Sequence, residues 1–388
     1  MKKENPEVLN MNEKPIYLDY NATTPVDPNV LEAMLPFLKE HFGNPSSSHQ
    51  YGKLVKEAVS GAREQAAKLI GAQTSEILFT SGGTESNNHA IIGTALANME
   101  KGKHLITSEI EHPAVLETLQ YMQQRFSFKV TYLPVNEYGM ANPLDIEKAI
   151  TPETVLITIM HANNEVGTIE PIEEIGKIAK ERNVTFHTDA AQSCGKIPVN
   201  IDKLNTDLLT IAGHKLYAPK GIGALYIRSG TKLDKFVHGA GQEQGKRAGT
   251  ENVPYIVGLG AACEIASSQL HSFSQSVKKL RDRLHRNILD GLGEEKVKLN
   301  GHPEKRLPNT LNLSIKGVVG ENLLSRTPEI AASTGSACHA GSTEPSAALL
   351  AMGLTRKQAL GALRLSLGRW SKKDEIDEAS QLIIRNVK

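Results

Sequence analysis

"IEEIGKIAKERNVTFHTD", residues 172–189, changes its hydrophobic period once, and that change decides the fold. Ile172, Ile175, Ile178 and Ala179 recur at steps of three and four, the spacing of one helix face; Val184 and Phe186 then alternate with Thr185 and His187, as in a strand. A helix running directly into a β-rich stretch is one unit of βα alternation. Upstream the runs "EILFT", "KHLITS", "FKVTYLPV" and "TVLITIM" repeat the strand pattern, with helical stretches such as "SNNHAIIGTALANM" among them; downstream come "DLLTIA" and "GALYI". Seven strands in this order predict an α/β fold whose sheet is mostly parallel and covered on both faces. From about Pro254 a long helical pattern runs to Gly293, a glycine stop able to bridge two domains. Beyond it "KVKLN", "TLNLSI", "EIAAST" and "ALRLSL" read as strands and "KKDEIDEASQLIIRNV" as a closing helix, a smaller α+β domain.

The chain has 388 residues, more than one core usually supports, so a large and a smaller domain are expected. Lysine and arginine (44) nearly balance aspartate and glutamate (43), which removes the electrostatic case for nucleic acid or an anionic membrane surface. Cysteines at 194, 263 and 338 are too few and scattered for a disulfide framework or a paired zinc site. The N-terminal stretch lacks an apolar signal core, and no apolar run is long enough to span a bilayer. A cytoplasmic protein acting on small molecules or proteins is expected.

Open α/β sheets bind ligands outside the carboxyl ends of their strands, so polar residues just past each strand are the candidates. In "TSGGTESNN", Gly82 and Gly83 let the backbone come close, Thr84 offers a hydroxyl and a helix start favours negative charge. That describes a phosphate cup, or else a turn capped by Thr84 or Ser86. No Walker or dinucleotide fingerprint accompanies it, so the phosphate need not belong to a nucleotide. In "VTFHTDAAQSCGK", Asp189 closes a strand and Gln192 follows; the carboxylate suits a protonated pyridine nitrogen, or caps the loop. His187, Asp189 and Cys194 match no metal-ligand spacing, and no metal is expected. In "LLTIAGHKLYAPKGIGALY", Lys215 follows a strand and His214. A surface role is common for lysine, but a desolvated amine at this rim can form a Schiff base with an aldehyde. His112 of "EIEHPAV" and Asn164 of "MHANNEVG" sit after strands too, as caps or as ligand contacts. Phosphate at one end, a basic ring nitrogen at the other and an aldehyde between are the features of pyridoxal phosphate.

"STGSACHAGSTEPS", residues 333–346, surrounds Cys338 with small residues that read as loop, which makes its thiol reachable rather than a core filler. Cys194 and Cys263 lie in a sheet-edge and a helical segment, where packing explains them.

"YLDYNATTPVDP", "TSGGTESNN", "EHPAV", "HANNEVG", "DAAQS", "GHK", "RAGTENV", "GSAC" and "LRLSLGR" follow one another in an order and spacing that resemble the NifS-like cysteine desulfurases, within the class V aminotransferase superfamily of fold type I. The resemblance covers nearly the whole chain. It implies a PLP-dependent transferase fold with an N-terminal segment 1–23 joining the small domain, a large cofactor-binding domain 24–265 and a small C-terminal domain 266–388 carrying the cysteine loop. It implies removal of sulfur from L-cysteine, giving L-alanine and a persulfide on Cys338 for transfer to an acceptor, a protein being one possibility. Lys215 would hold pyridoxal 5'-phosphate, Asp189 its ring nitrogen and Gln192 its ring oxygen, with His112 stacked on the ring and assisting proton transfer. Gly83, Thr84, His214 and, from the neighbouring subunit of a homodimer, Thr250 would hold the phosphate. Arg364, Asn164 and Asn21 would hold the substrate carboxylate; from the residues alone, Arg364 could equally be a strand-edge ion pair. "TEPS" after the cysteine is similar to the longer-loop group of the family.

Three departures stand out. Ala212 occupies a position where many relatives carry a serine, one hydrogen bond fewer, ~1 kcal/mol. Gln242 and Gln244 stand where histidine and arginine are frequent. The chain stops at Lys388 without the tail some relatives use to dock an iron-sulfur scaffold, so that partner stays open. A selenocysteine lyase shares much of this wording and is the alternative; a cofactor-free sulfur-binding thiol protein is a third. The recipient of the sulfur, whether cluster assembly, thiolated RNA or a dedicated pathway, is not legible.

Overall fold

The computed structural model describes residues 14–335 and 344–387. After a short β1 (Ile16–Tyr17) come β2 (Ile77–Thr80), β3 (His104–Ser108), β4 (Lys129–Leu133), β5 (Thr154–Thr158), β6 (Thr185–Asp189), β7 (Leu208–Ala212) and β8 (Gly223–Ile227), which form one seven-stranded sheet in the order β2-β8-β7-β6-β5-β3-β4. Only β8 is reversed, antiparallel to both its neighbours; the other pairings are parallel. The remaining six strands therefore deliver their carboxyl ends to one rim. Every position of β2, β3, β5, β7 and β8 is buried, as expected of a sheet covered on both faces.

Neighbouring strand residues go to opposite faces. Ile106, Ile157, Phe186 and Ile211 join a core with the helices Gln50–Ile70 and Ile172–Glu181, whereas Leu105 and Leu156 pack against Val115, Leu119 and Met122 of the helix Pro113–Phe126. The helix Val253–Leu292 links this core to a second one. Its 40 residues extend about 60 Å. Ile256, Leu259, Cys263 and Ala266 belong to the large core, and Val277, Leu284, Ile288 and Leu292 to the second. There they meet β9 (Val297–Asn300), β10 (Thr310–Ile315), β11 (Ile330–Ala331), β12 (Ala362–Ser366) and the closing helix Lys373–Val387; β12, β10 and β9 form an antiparallel sheet. Leu18, next to β1, is in the same core, and β1 pairs in parallel with β11.

Two local expectations change. "EIAAST" does not add a strand to the small sheet: only Ile330 and Ala331 pair, with β1, and Ser333 then makes a single bridge to Arg364. The backbone bonds of Leu18 to Ala331 and of Arg364 to Ser333 use the available edges, so the segment hands over from one neighbour to the next. The helix after Gly82 is also not uniform. It is α over Gly83–Asn88, widens to a π turn over His89–Gly93 and returns to α over Thr94–Ala97. Gly93 lies where a Cβ would be 2.7 Å from the carbonyl oxygen of Asp234, and the His89 ring nitrogen Nε2 contacts the same oxygen at 3.1 Å. Among the described residues, no helix is long and apolar enough to cross a membrane.

Candidate active site

The common rim opens onto a cavity of about 840 Å³ whose lining includes Gly83, Thr84, His112, Asp189, Gln192 and Lys215. Asp189 ends β6, and the others follow β2, β3, β6 or β7. His214 and Asn164 line it as well, and the small sheet contributes Arg364. Asn21, from the N-terminal segment, closes another wall.

Lys215 ends a single 3-10 turn after β7. Its Nζ donates to the carbonyls of Asn21 at 2.6 Å and Ala22 at 2.7 Å. Burial pushes its pKa down to about 8, and the Arg364 guanidinium adds to the shift against the opposing pull of Asp189 and Asp19. An amine so placed is available in its neutral form close to physiological pH. His214 is pushed down to about 4, first by burial and then by Lys215 and other nearby cations; its Nδ1 meets Thr23 Oγ1 at 3.2 Å.

Asp189 accepts from the backbone N–H of Ala191 at 2.9 Å on one oxygen and from Asn87 Nδ2 at 2.6 Å on the other. Each oxygen keeps a second lone pair for a cation. The loop-capping role and the cavity-lining role of Asp189 thus coexist. The same holds for His112, which caps the helix Pro113–Phe126 by accepting from Ala114 N–H at its Nδ1. With Nδ1 an acceptor, the neutral ring carries its proton on Nε2. Burial lowers the His112 pKa, with Asp189 opposing and Lys215 reinforcing.

At the helix start, Gly82 has φ +150°, a conformation L side chains rarely adopt, and a Cβ there would meet no protein atom within 4 Å. Gly83 sits over β7, where its Cβ would lie 3.1 Å from that of Ala212. First-turn N–H groups of a helix have no carbonyl partner within it, so they are free for an anion. Glu85 accepts from the Ser81 N–H at 2.8 Å and from the Arg247 fork at 2.9 and 3.2 Å.

Arg364 is 2% exposed and pairs with Asp19 at 2.8 Å. Its Nη1 also lies 3.4 Å from the carbonyl of Asn164 and 3.5 Å from that of Gly335, and its Nε has no partner. The ion pair with Asp19 is thus present, and the same side chain lines the cavity. Asn21 donates to Asn164 O and Thr310 Oγ1, binding the N-terminal segment to both sheets. Gly335 and Glu344, on either side of the cysteine stretch, line the cavity; Cys338 itself lies outside the described residues. Thr250 is exposed and not part of this chain's cavity wall. Cys194 and Cys263 are buried.

An amine for an aldehyde, a carboxylate for a ring nitrogen and a side-chain-free helix start for a phosphate open on one cavity, and this donor set fits pyridoxal phosphate. Sequence reasoning missed the residues that hold these groups. Asn87 was within reach, three residues after Thr84 and so on the next helical turn. Asp19 lies in "YLDYN" but meets Arg364 only through folding. Lys196 and Glu111 gave no signal beyond their types. Glu111 is buried, accepts from Ser108 Oγ and Met160 N–H, and is pushed up to about 8 by burial.

A family model described as Aminotransferase class-V matches residues 16–379. The cysteine desulfurase IscS of Methanosarcina thermophila is 50% identical over 379 residues, 97% of this chain and 93% of the relative. Among solved structures, a NifS-like protein superposes with TM-score 0.89 at 39% identity, covering 96% of this chain and 99% of that one. SspA in complex with cysteine gives 0.82 at 41% identity, with 92% and 99% covered. With half of its residues shared over nearly all of both chains, the protein belongs to the class V aminotransferase family, in its cysteine desulfurase group.

Proposed function

We propose that this chain is a cysteine desulfurase that uses pyridoxal phosphate to convert L-cysteine to L-alanine and passes the sulfur on through Cys338. Lys215 would hold the cofactor, Asp189 would serve its ring nitrogen, Gln192 would donate to its ring oxygen, and Gly83, Thr84 and His214 would bind its phosphate. When bound, the cofactor supplies an electron sink for the bonds at the substrate Cα. Arg364, with Asn164 and Asn21, binds and orients the substrate carboxylate. His112 would lie against the ring, and its Nε2 can hold or move a proton there. The Cys338 thiolate takes the sulfur: the substrate Cβ–S bond breaks, an S–S bond forms at Cys338 Sγ, and Cβ gains a proton. Carbon is reduced as sulfur is oxidised, so no outside oxidant is needed.

The observation that carries this reading is Lys215, an amine lowered to about 8 in the same cavity as Asp189 and the Gly82–Gly83 helix start. Cys338 is three residues past cavity-lining Gly335 in the sequence. A homodimer completes the site with Thr250 from the second copy. In its support, Leu38, Phe42, Tyr51 and Leu54 are exposed apolar side chains, and Phe42 and Tyr51 are in ring contact at 5.5 Å.

The test is alanine formation from L-cysteine with excess reductant, by the wild type and by Cys338→Ala, each checked for bound cofactor. Turnover by the wild type alone, with cofactor in both, supports the reading. Equal turnover removes Cys338 from the chemistry and favours a lyase that releases the chalcogen directly.

A further inference from the structure

Lys196 is 4% exposed, and among the described residues no carboxylate lies within ion-pair distance of it. Gly195, at φ +73°, turns the chain so that the next side chain enters the interior; a Cβ on this glycine would come 2.4 Å from Leu216 Cδ2. The Lys196 amine donates to Gln192 Oε1 at 2.7 Å and reaches Asn21 Oδ1 at 3.5 Å. Gln192 Nε2 in turn donates to the Asn21 carbonyl at 3.0 Å, the same oxygen that accepts from Lys215 at 2.6 Å.

We infer that Lys196 is a positioning residue for the cofactor site: by donating to Gln192 Oε1 it fixes the flip of that amide, so that the donor end, Nε2, faces the cavity. The inference rests on the proposed placement of pyridoxal phosphate. The Lys196 amine offers three N–H donors when charged and two when neutral, and it donates to Gln192 Oε1 at 2.7 Å, so the amide end that meets it is the oxygen. The anionic ring oxygen of the cofactor needs a donor and is repelled by an amide oxygen. A free amide could present either end; with Lys196 in place only one choice satisfies both neighbours. Burying an amine with no carboxylate partner among the described residues is unfavourable for the fold alone, which agrees with a role toward a ligand.

Pyridoxal phosphate is titrated into the apo forms of the wild type, Lys196→Met, Gln192→Leu and the double variant, following protein fluorescence and the absorbance of the bound cofactor. Each single variant is expected to weaken binding about tenfold, one charge-assisted hydrogen bond. If Lys196 acts through Gln192, the double variant binds no more weakly than Gln192→Leu, and both single variants move the bound absorbance maximum in the same direction. Multiplying losses in the double variant, or an unchanged affinity and spectrum in Lys196→Met, overturns the inference. Should Lys196→Met fail to fold, Gln192→Glu decides: it keeps the bond to Lys196 but has no donor, so unchanged cofactor affinity overturns the inference and a tenfold loss upholds it. A wild type that takes up no cofactor overturns the cofactor reading itself, whereas uptake by the wild type with loss of its covalent band in Lys215→Ala leaves that reading intact whatever Lys196 does.

Discussion

Lys215 Nζ donates to the carbonyl of Asn21 at 2.6 Å, a contact between residues 194 apart in the chain. The N-terminal segment thus holds the amine on which the proposed chemistry depends, in a setting that lowers its pKa from 10.5 to about 8. Only the neutral amine attacks an aldehyde. Capture of pyridoxal phosphate by the apo protein is therefore expected to accelerate with pH through about 8 and then level off. Stopped-flow absorbance against pH checks this. A rate still rising toward 10 would mean that Lys215 behaves as an ordinary lysine.

Arg364 presents a planar fork that one carboxylate, Asp19, already orients. Lysine at this position keeps the charge but loses the two parallel N–H donors. Arg364→Lys is expected to raise KM for L-cysteine about ten- to a hundredfold with a smaller change in kcat, the loss of hydrogen bonds to a charged group. Steady-state kinetics on the cofactor-loaded variant gives the split. A fall in kcat alone would assign Arg364 to the chemical step instead.

Asn87 donates to Asp189 Oδ2 at 2.6 Å, and both side chains are buried. Asn87→Ala is expected to weaken cofactor binding about tenfold, because the carboxylate loses its side-chain donor and with it a fixed orientation. Equilibrium titration of the apo variant measures this. Unchanged affinity would show that the Ala191 N–H alone orients Asp189.

The rim was legible because its strands are short, β-rich and parallel, so period alone placed Thr84, His112, Asp189 and Lys215 just past strand ends. What supports them was not legible. Asp19 meets Arg364 across 345 residues, and no local pattern encodes that distance. Lys196 reads as a surface lysine until the positive φ of Gly195 turns it inward. "EIAAST" has the composition of a strand, but the edges available to it, β1 and Arg364, are set by tertiary packing rather than propensity. The π turn at His89–Gly93 packs against the carbonyl of Asp234, far away in the chain.

Lys196 also ties the stability of the apo protein to pH. Burial lowers its pKa from 10.5 to about 7 in the folded state, with Lys215 and Arg364 adding to the shift. Between those values the unfolded chain binds the proton and the folded one does not, so this group's contribution to stability rises with pH across that window. Below about 7 its desolvation penalty is fully present, and toward 10.5 it is relieved. Lys196→Met removes the titrating group, so its thermal midpoint relative to the wild type is expected to be most favourable up to about pH 7 and to decline from there to pH 10. Each tenfold in the proton equilibrium is about 1.4 kcal/mol, on the order of two degrees in a chain of this size. Calorimetry of both apo proteins across that range tests it, and a difference that does not change with pH would mean that Lys196 keeps the same protonation in the folded and unfolded chains.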